Sequence, residues 1–253
     1  MAVWALADLH LSFGVPDKGM EVFGNQWKDH PEKIRAHWNQ LIGKEDLVLL
    51  AGDISWAMHP EDAKNDLDWI ETLPGTKVMI RGNHDYWWSS IKKVEQMLPP
   101  SIHIIQNNIY RWKNIAIGGA RLWDTPEYSF GQYIHYADNP RANKLIQQEN
   151  PTEAEKIFER ELNRLELSLK QLPSEGATLI AMTHYPPIGA DLKPSRTSAL
   201  LEKYGISICV FGHLHNVRPQ SLPFGSKEHV KYALTSCDYL DFTPIKLMET
   251  CSE

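Results

Sequence analysis

The chain has 253 residues, 42% of them hydrophobic and 23% charged, with a formal net charge of −6. That length suits one large α/β domain, and the negative balance supplies no basic stripe for long duplex nucleic acid. No apolar stretch approaches the roughly 20 residues of a membrane span, so no membrane partner is expected. Cys209, Cys237 and Cys251 are odd in number and widely spaced, which fits reduced thiols better than a disulfide framework, and Cys209 is assigned to the core.

The first apolar run, Ala2 to Ala7, is a strand candidate that leads directly into Asp8 and His10. No basic segment precedes it, which argues against a signal peptide and for a cytoplasmic protein. Trp27, Ile34, Trp38, Leu41 and Ile42 recur at helical spacing, with Gly43 as the stop. Leu47 to Ala51 make a second buried strand ending at Gly52-Asp53, and Pro60 to Leu73 read as a helix closed by Pro74-Gly75. Lys77 to Ile80 form a third strand that ends in Arg81-Gly82-Asn83-His84-Asp85. Strand and helix alternating in this way predict a parallel sheet.

A helix is expected over Trp88 to Leu98. Short strands follow at Ile102 to Ile105, Ile109 to Lys113 and Ile115 to Gly118, forming a second sheet or an antiparallel edge of the first, with Lys113-Asn114 as a hairpin tip. From Arg121 to about Asn150 the chain turns aromatic and polar without periodicity, as in a loop-rich insertion near a site mouth. Thr152 with Glu155 reads as a capping box for an amphipathic helix carrying Ile157, Leu162, Leu165 and Leu169 and running to Leu172. Thr178 to Thr183 is a strand that delivers His184. Leu200 to Tyr204 close a helix at Gly205, Ile206 to Phe211 deliver Gly212-His213-Leu214-His215, and a last strand, His229 to Thr235, returns to the second sheet. Nothing in this order marks a linker, so residues 1–253 are read as one domain with a loop-rich and helical insertion at about 121–172.

Each polar cluster alone has a bland reading as a turn, a cap or a buried histidine. Together they place two carboxylates, one carboxamide and four imidazoles just beyond buried strands, where open α/β sheets bind ligands. That oxygen and nitrogen set suits first-row divalent or trivalent ions, and seven donors exceed the needs of one tetrahedral ion. Shared between two ions through one carboxylate, they fit a centre for displacement at phosphorus.

Asp8-x-His10, Gly52-Asp53, Gly82-Asn83-His84-Asp85, His184 and Gly212-His213-x-His215 resemble the five-block signature of the calcineurin-like metallophosphoesterases. The resemblance implies a four-layered αββα sandwich with two mixed sheets. It implies Asp8, His10, Asp53 and His215 around one ion, Asp53, Asn83, His184 and His213 around the other, and Asp53 as the bridge. His84 would sit beside the substrate phosphate, and Asp85 would orient it. The cofactors implied are two ions of manganese, iron or zinc. The reaction implied is hydrolysis of a small phosphomonoester or phosphodiester by a hydroxide held between the ions.

The second block, Gly52-Asp53-Ile54-Ser55-Trp56-Ala57, lacks the arginine of the protein phosphatase branch, and His84 stands where the lipid A precursor branch has arginine. The third block with Asp85, followed by His184-Tyr185-Pro186-Pro187, is nearer to bacterial phosphohydrolases and cyclic-nucleotide phosphodiesterase-like members. Arg121, Trp123, Tyr128 and His135 are candidates for substrate selection. Tyr86, Trp87 and Trp88 are read as a packed core edge in preference to a ring-stacking platform. The alternatives are a metal-dependent hydrolase of C–N bonds, in which the His-x-His pair normally follows the first strand, and a non-catalytic scaffold, which would be expected to lack some of these residues.

Overall fold

The structure is a computed structural model that describes residues 1–135, 151–218, 222 and 224–250. Among the described residues, eleven strands form two sheets. In the first, β1 (Ala2–Leu6), β2 (Leu47–Leu50), β3 (Thr76–Met79) and β4 (Ile102–Ile104) run parallel, and β11 (Ile245–Glu249) pairs antiparallel outside β1. In the second, β6 (Ile115–Ala120), β7 (Thr178–Thr183), β8 (Ile208–Phe211) and β10 (Val230–Leu234) are parallel, while β5 (Ile109–Trp112) and the short β9 (Ser226–Lys227) are antiparallel edges.

Strand alternation explains the layering, because successive side chains point to opposite faces. In β1, Trp4 and Leu6 face a cluster that includes Ile34 and Trp38 of α1 (His30–Leu41), Leu67 and Ile70 of α2 (Pro60–Glu71) and Val94 of α3 (Ile91–Glu95). Val3 and Ala5 face the other way, into a dry layer where Leu47, Leu49 and Val78 meet Ile117, Ile180 and Val210 of the second sheet. On the far side Cys209 and Phe211 pack with Leu165 and Leu169 of α4 (Pro151–Leu169) and Leu201 of α5 (Arg196–Lys203). Helix, sheet, sheet and helix are therefore stacked, a four-layered αββα sandwich. Each large side chain buried in these layers contributes roughly 1.5–3 kcal/mol.

Several boundaries differ from the sequence reading. Ile102–Ile104 is a parallel edge of the first sheet, and the second sheet begins at the β5–β6 hairpin, whose two-residue tip is Lys113-Asn114 as predicted. The α3 helix is only five residues long, since Trp88 is withdrawn into the core and bonds Gln106 Oε1 through its indole N–H at 2.7 Å. α4 begins at Pro151, so Thr152 lies inside the first turn instead of capping it. A capping box occurs instead at α5, where Ser195 and Ser198 exchange side-chain and backbone hydrogen bonds. Strand β11 was not anticipated, nor was β9. Cys209 and Cys237 are buried free thiols, as expected, while Cys251 and residues 136–150 of the insertion lie outside the described residues.

Candidate metal centre

Five strand ends converge where the carboxyl edges of the two sheets meet. Backbone hydrogen bonds stitch the loops together: Asp8 N–H donates to Gly52 O, His10 N–H to Asp53 O, His184 N–H to Arg121 O, Gly212 N–H to His184 O, and Cys237 N–H to Ala7 O, all at 2.9–3.1 Å. The cross-ties hold unusual backbone. Asp8, His10, Asp53 and His213 all have left-handed φ angles, between 46° and 70°. Such conformations cost on the order of 1–3 kcal/mol each for residues with a β-carbon and persist where the surroundings enforce them, characteristically at functional sites. Gly82 allows the closest approach, because a β-carbon there would lie 2.0 Å from Asp53 Oδ1.

All seven expected donors are brought together. His10 Nε2 stands 3.1 Å from His215 Nε2 and 3.7 Å from Asp53 Oδ2. The same Asp53 oxygen is 3.4 Å from His184 Nε2. His184 Nε2 and His213 Nδ1 both point at Asn83 Oδ1, at 2.7 and 3.0 Å. Asp8 Oδ1 lies 3.9 Å from His215 Nε2. Donor atoms of Asp8, His10 and His215 fall within 4.8 Å of one another, as do those of Asp8, Asp53 and His184. Asp8 thus belongs to both triplets, but its 3.8 Å approach to His184 is to Nδ1, which already bonds Ala51 O at 3.0 Å. Asp53 Oδ2 faces Nε2 of both His10 and His184 and is the better placed shared donor.

The donor chemistry fits cations. Imidazole nitrogens face one another or crowd onto a single amide oxygen, and His10 Nδ1 is buried without a hydrogen-bond partner. Burial pushes the Asp8 carboxyl up to about 6, against the pull of His215 and His184. Burial acts the same way on Asp53, but His184 and His10 outweigh it and hold that carboxyl well below its usual range. Burial alone would depress His184 and His215. Asp53 carries the first up to about 9, and Asp238 does the same for the second. His10 and His213 are driven well down by burial. The carboxylates therefore draw positive charge to this point, and metal ions compete with protons for such donors.

His84 and Asp85 differ from the donors. The His84 ring packs on Trp56 with centroids 4.5 Å apart, and its backbone N–H donates to Asp53 Oδ1 at 2.8 Å. Asp85 does not hold that ring. Its carboxylate accepts from the Ile54, Ser55 and Gly82 N–H groups and from the Trp87 indole, at 2.8–3.1 Å, while His84 Nδ1 is buried with no hydrogen-bond partner. Asp85 ties the loop after β2 to the loop after β3 and so fixes Asp53 relative to Asn83. Trp87 and Trp88 are core, and Tyr86 is exposed.

The sequence reading missed Asp238. Its Oδ1 lies 2.9 Å from His215 Nδ1 and its Oδ2 accepts from Asn216 N–H at 2.8 Å, the carboxylate–histidine arrangement that fixes a ligand's ring and tautomer. The available signal was its place just beyond the strand predicted over His229 to Thr235. Of the weaker candidates, Arg121 reaches Glu161 at 3.4 Å, and Trp123 and Tyr128 line a recess of about 370 Å³ together with Phe130, Tyr185 and His213. His135 is exposed at the edge of the described residues.

Two sheets, a layered sandwich and donors at the strand ends define a metallophosphoesterase-type fold. Residues 1–217 match the family of calcineurin-like phosphoesterases, and the chain belongs to that family. It is 34% identical over 83 residues to the Gene 66 protein of Mycobacterium phage D29, covering 33% of this chain and 40% of that protein. It is 32% identical over 84 residues to the Gene 66 protein of phage L5, covering 32% and 39%. The matched part thus spans well under half the length of these curated relatives. The phosphopantetheinyl hydrolase of Mycobacterium tuberculosis is similar in structure, with a TM-score of 0.51 at 14% identity over 95% of this chain and 90% of that one, a likeness of fold. Among the described residues no helix is long and apolar enough to cross a membrane.

Proposed function

We propose that the chain is a binuclear metal-dependent phosphohydrolase acting on a small phosphomonoester or phosphodiester. The observation that supports this most directly is the convergence of Asp8, His10, Asp53, Asn83, His184, His213 and His215 from five strand ends onto one point. Asp8, His10, Asp53 and His215 would hold one ion, and Asp53, Asn83, His184 and His213 the other. Bound there, the pair supplies Lewis acidity toward phosphoryl oxygens and a water of lowered pKa.

The chain's own residues supply the remainder. Asp238 and the Ala51 carbonyl orient His215 and His184, each through Nδ1, leaving Nε2 toward the centre. His84 is the group beside the donors that no ligand role consumes. It is placed to give a hydrogen bond or a proton to the phosphoryl or leaving oxygen. The recess of Trp123, Tyr128, Phe130 and Tyr185 opens at His213 and, at about 370 Å³, is large enough to receive the organic part of a small ester.

The test is to strip the protein with chelator, reload it separately with Mn²⁺, Fe²⁺ and Zn²⁺, count bound ions, and assay aryl phosphomonoesters, phosphodiesters and cyclic nucleotides. Two ions per chain and metal-dependent turnover of at least one ester class are expected. A ceiling of one ion, or inertness with every metal, refutes the reading.

A further inference from the structure

A second charged recess lies on the same rim, built by Arg81 at the end of β3, Gln106 and Asn107 after β4, Arg121 at the end of β6, and Glu161 and Arg164 on α4. Its cavity volume is about 50 Å³. Its charges do not balance. Glu161, almost fully buried, is the one carboxylate lining it among the described residues, and it is already shared: Arg164 reaches its Oε1 at 2.6 Å, Arg121 at 3.4 Å and Arg160 at 3.7 Å. Asp85 lies nearby, but its carboxylate is engaged by four N–H groups.

Arg81 has no share in that carboxylate. It is half-buried, and its Nε is buried without a hydrogen-bond partner among the described residues. A half-buried guanidinium stays charged, so the recess holds an unsatisfied N–H donor and excess positive charge in a chain whose net charge is −6. An unpaired buried donor of this kind is costly unless a ligand satisfies it.

We propose that this recess binds a second phosphate group carried by the substrate, one that is not cleaved. Arginine forks match phosphate oxygens bidentately, and three guanidiniums around one carboxylate leave room for a dianion. The recess and the metal centre share backbone: Arg81 is two residues before Asn83, and the Arg121 carbonyl accepts the N–H groups of His184 and Tyr185 at 3.1 and 2.9 Å. A doubly phosphorylated ester would span the two, with its reacting phosphate at the donors and its other phosphate at Arg81, Arg121 and Arg164. The assignment rests on the phosphohydrolase reading for the word substrate, and on the arginines alone for the phosphate.

The experiment uses the metal-loaded enzyme and two readouts. Calorimetric titration with inorganic phosphate should give two equivalents per chain, one at the metals and one here. Arg81→Gln and Arg164→Gln should each lose one equivalent with melting temperature and metal content retained. Arg164 is on the outer helix and about half exposed, so its variant does not disturb the loop carrying Asn83. The second readout compares an alkyl bisphosphate ester with its singly phosphorylated analogue. The wild type should show a KM lower by at least about tenfold for the bisphosphate, as charge-assisted bonds of this kind provide, with kcat alike. Both variants should lose the difference and keep the turnover of the analogue. If the phosphohydrolase reading fails and no ester is cleaved, the calorimetry still reports on the recess. Unchanged stoichiometry in both variants overturns the phosphate site. Lost stoichiometry with no KM difference in the wild type means the recess takes free phosphate, and overturns its assignment to the substrate.

Discussion

Replacing Gly82 by alanine would put a β-carbon 2.0 Å from Asp53 Oδ1, 2.3 Å from the Asp53 backbone nitrogen and 2.7 Å from Asp53 Cγ. A side-chain rotation cures the first and third of these contacts but not the second. Ordinary contact begins at about 3.4 Å, so the backbone nitrogen would have to retreat by about 1.1 Å. Asp53 has little freedom to retreat, because its carbonyl accepts His10 N–H at 3.0 Å and its φ is already 52°. Overpacking of this kind costs typically about 1–3 kcal/mol, and a displacement near 1 Å at a reacting centre costs about 10²-fold in rate. Gly82→Ala should therefore fold with a lowered melting temperature, hold less than one full equivalent of metal after reloading, and turn over an aryl phosphodiester at least about 10²-fold more slowly. Gly205→Ala is the control: its φ is 67°, but a β-carbon there meets nothing within 4 Å, so it should lose stability without losing metal. Metal content measured by elemental analysis beside kcat separates the two. Normal occupancy and turnover in Gly82→Ala would show that the centre does not depend on this close approach.

Asp53→Asn should empty both metal positions together and abolish turnover, since one oxygen of Asp53 faces His10 at 3.7 Å and His184 at 3.4 Å; loss of a single ion with near-normal activity would show that the donor is not shared. His84→Ala should keep two ions bound and lose about 10²–10⁴-fold on alkyl esters but much less on nitrophenyl esters, whose leaving groups need no proton; equal losses on both would rule out a general-acid role. Asp238→Ala should weaken metal affinity about 10–100-fold through His215 alone, and an unchanged metal titration would contradict that coupling. Burial, opposed by Glu71, lowers the Lys77 ammonium to about 8, so the folded protein releases a proton that the unfolded chain keeps up to pH 10.5, and stability from this group rises across that window. Lys77→Met should remove that rise, worth about 2 kcal/mol between pH 7 and 9.5 in urea unfolding; parallel pH dependence in both proteins would refute the argument.

What the sequence makes legible is what is local. An apolar run ending in a polar side chain, after a glycine at three of the five places, carries its meaning within about six residues, and these five places suffice to bring Asp8, Asp53, Asn83, His184 and His213 to one point. Asp238 is different. Its role depends on β10 lying parallel to β8, which sets Thr235 beside Phe211 and so brings the loop after β10 to the loop holding His215. Strand β4 has three residues, and Ile102-His103-Ile104 could join either sheet; only its register against Lys77, Val78 and Met79 decides. Strand β11 alternates Lys246, Leu247, Met248 and Glu249 at an exposed edge, a pattern with little apolar contrast. Asp85 was misread for a related reason: adjacency to His84 suggested a partner, whereas its hydrogen bonds run to Ile54 and Ser55, about thirty residues away in the chain.

The pairing of β1 with β11 has a consequence for how the chain is made. Ala2 meets Glu249, Val3 meets Met248, and Thr250 N–H donates to Met1 O at 2.9 Å, so β1 is synthesised well over 200 residues before the strand that covers its outer edge. Until then a short apolar strand with an open ladder is available to other chains, the exposure from which intermolecular association starts. The donors repeat the pattern, since His10 and His215 are 205 positions apart. A cation captured there would close a loop of 205 positions, in the manner of a cross-link, and can do so only after His215 has been made. Removing residues 245–253 should therefore harm the yield of soluble protein far more than nine residues at a surface would suggest, while leaving every donor atom in the chain.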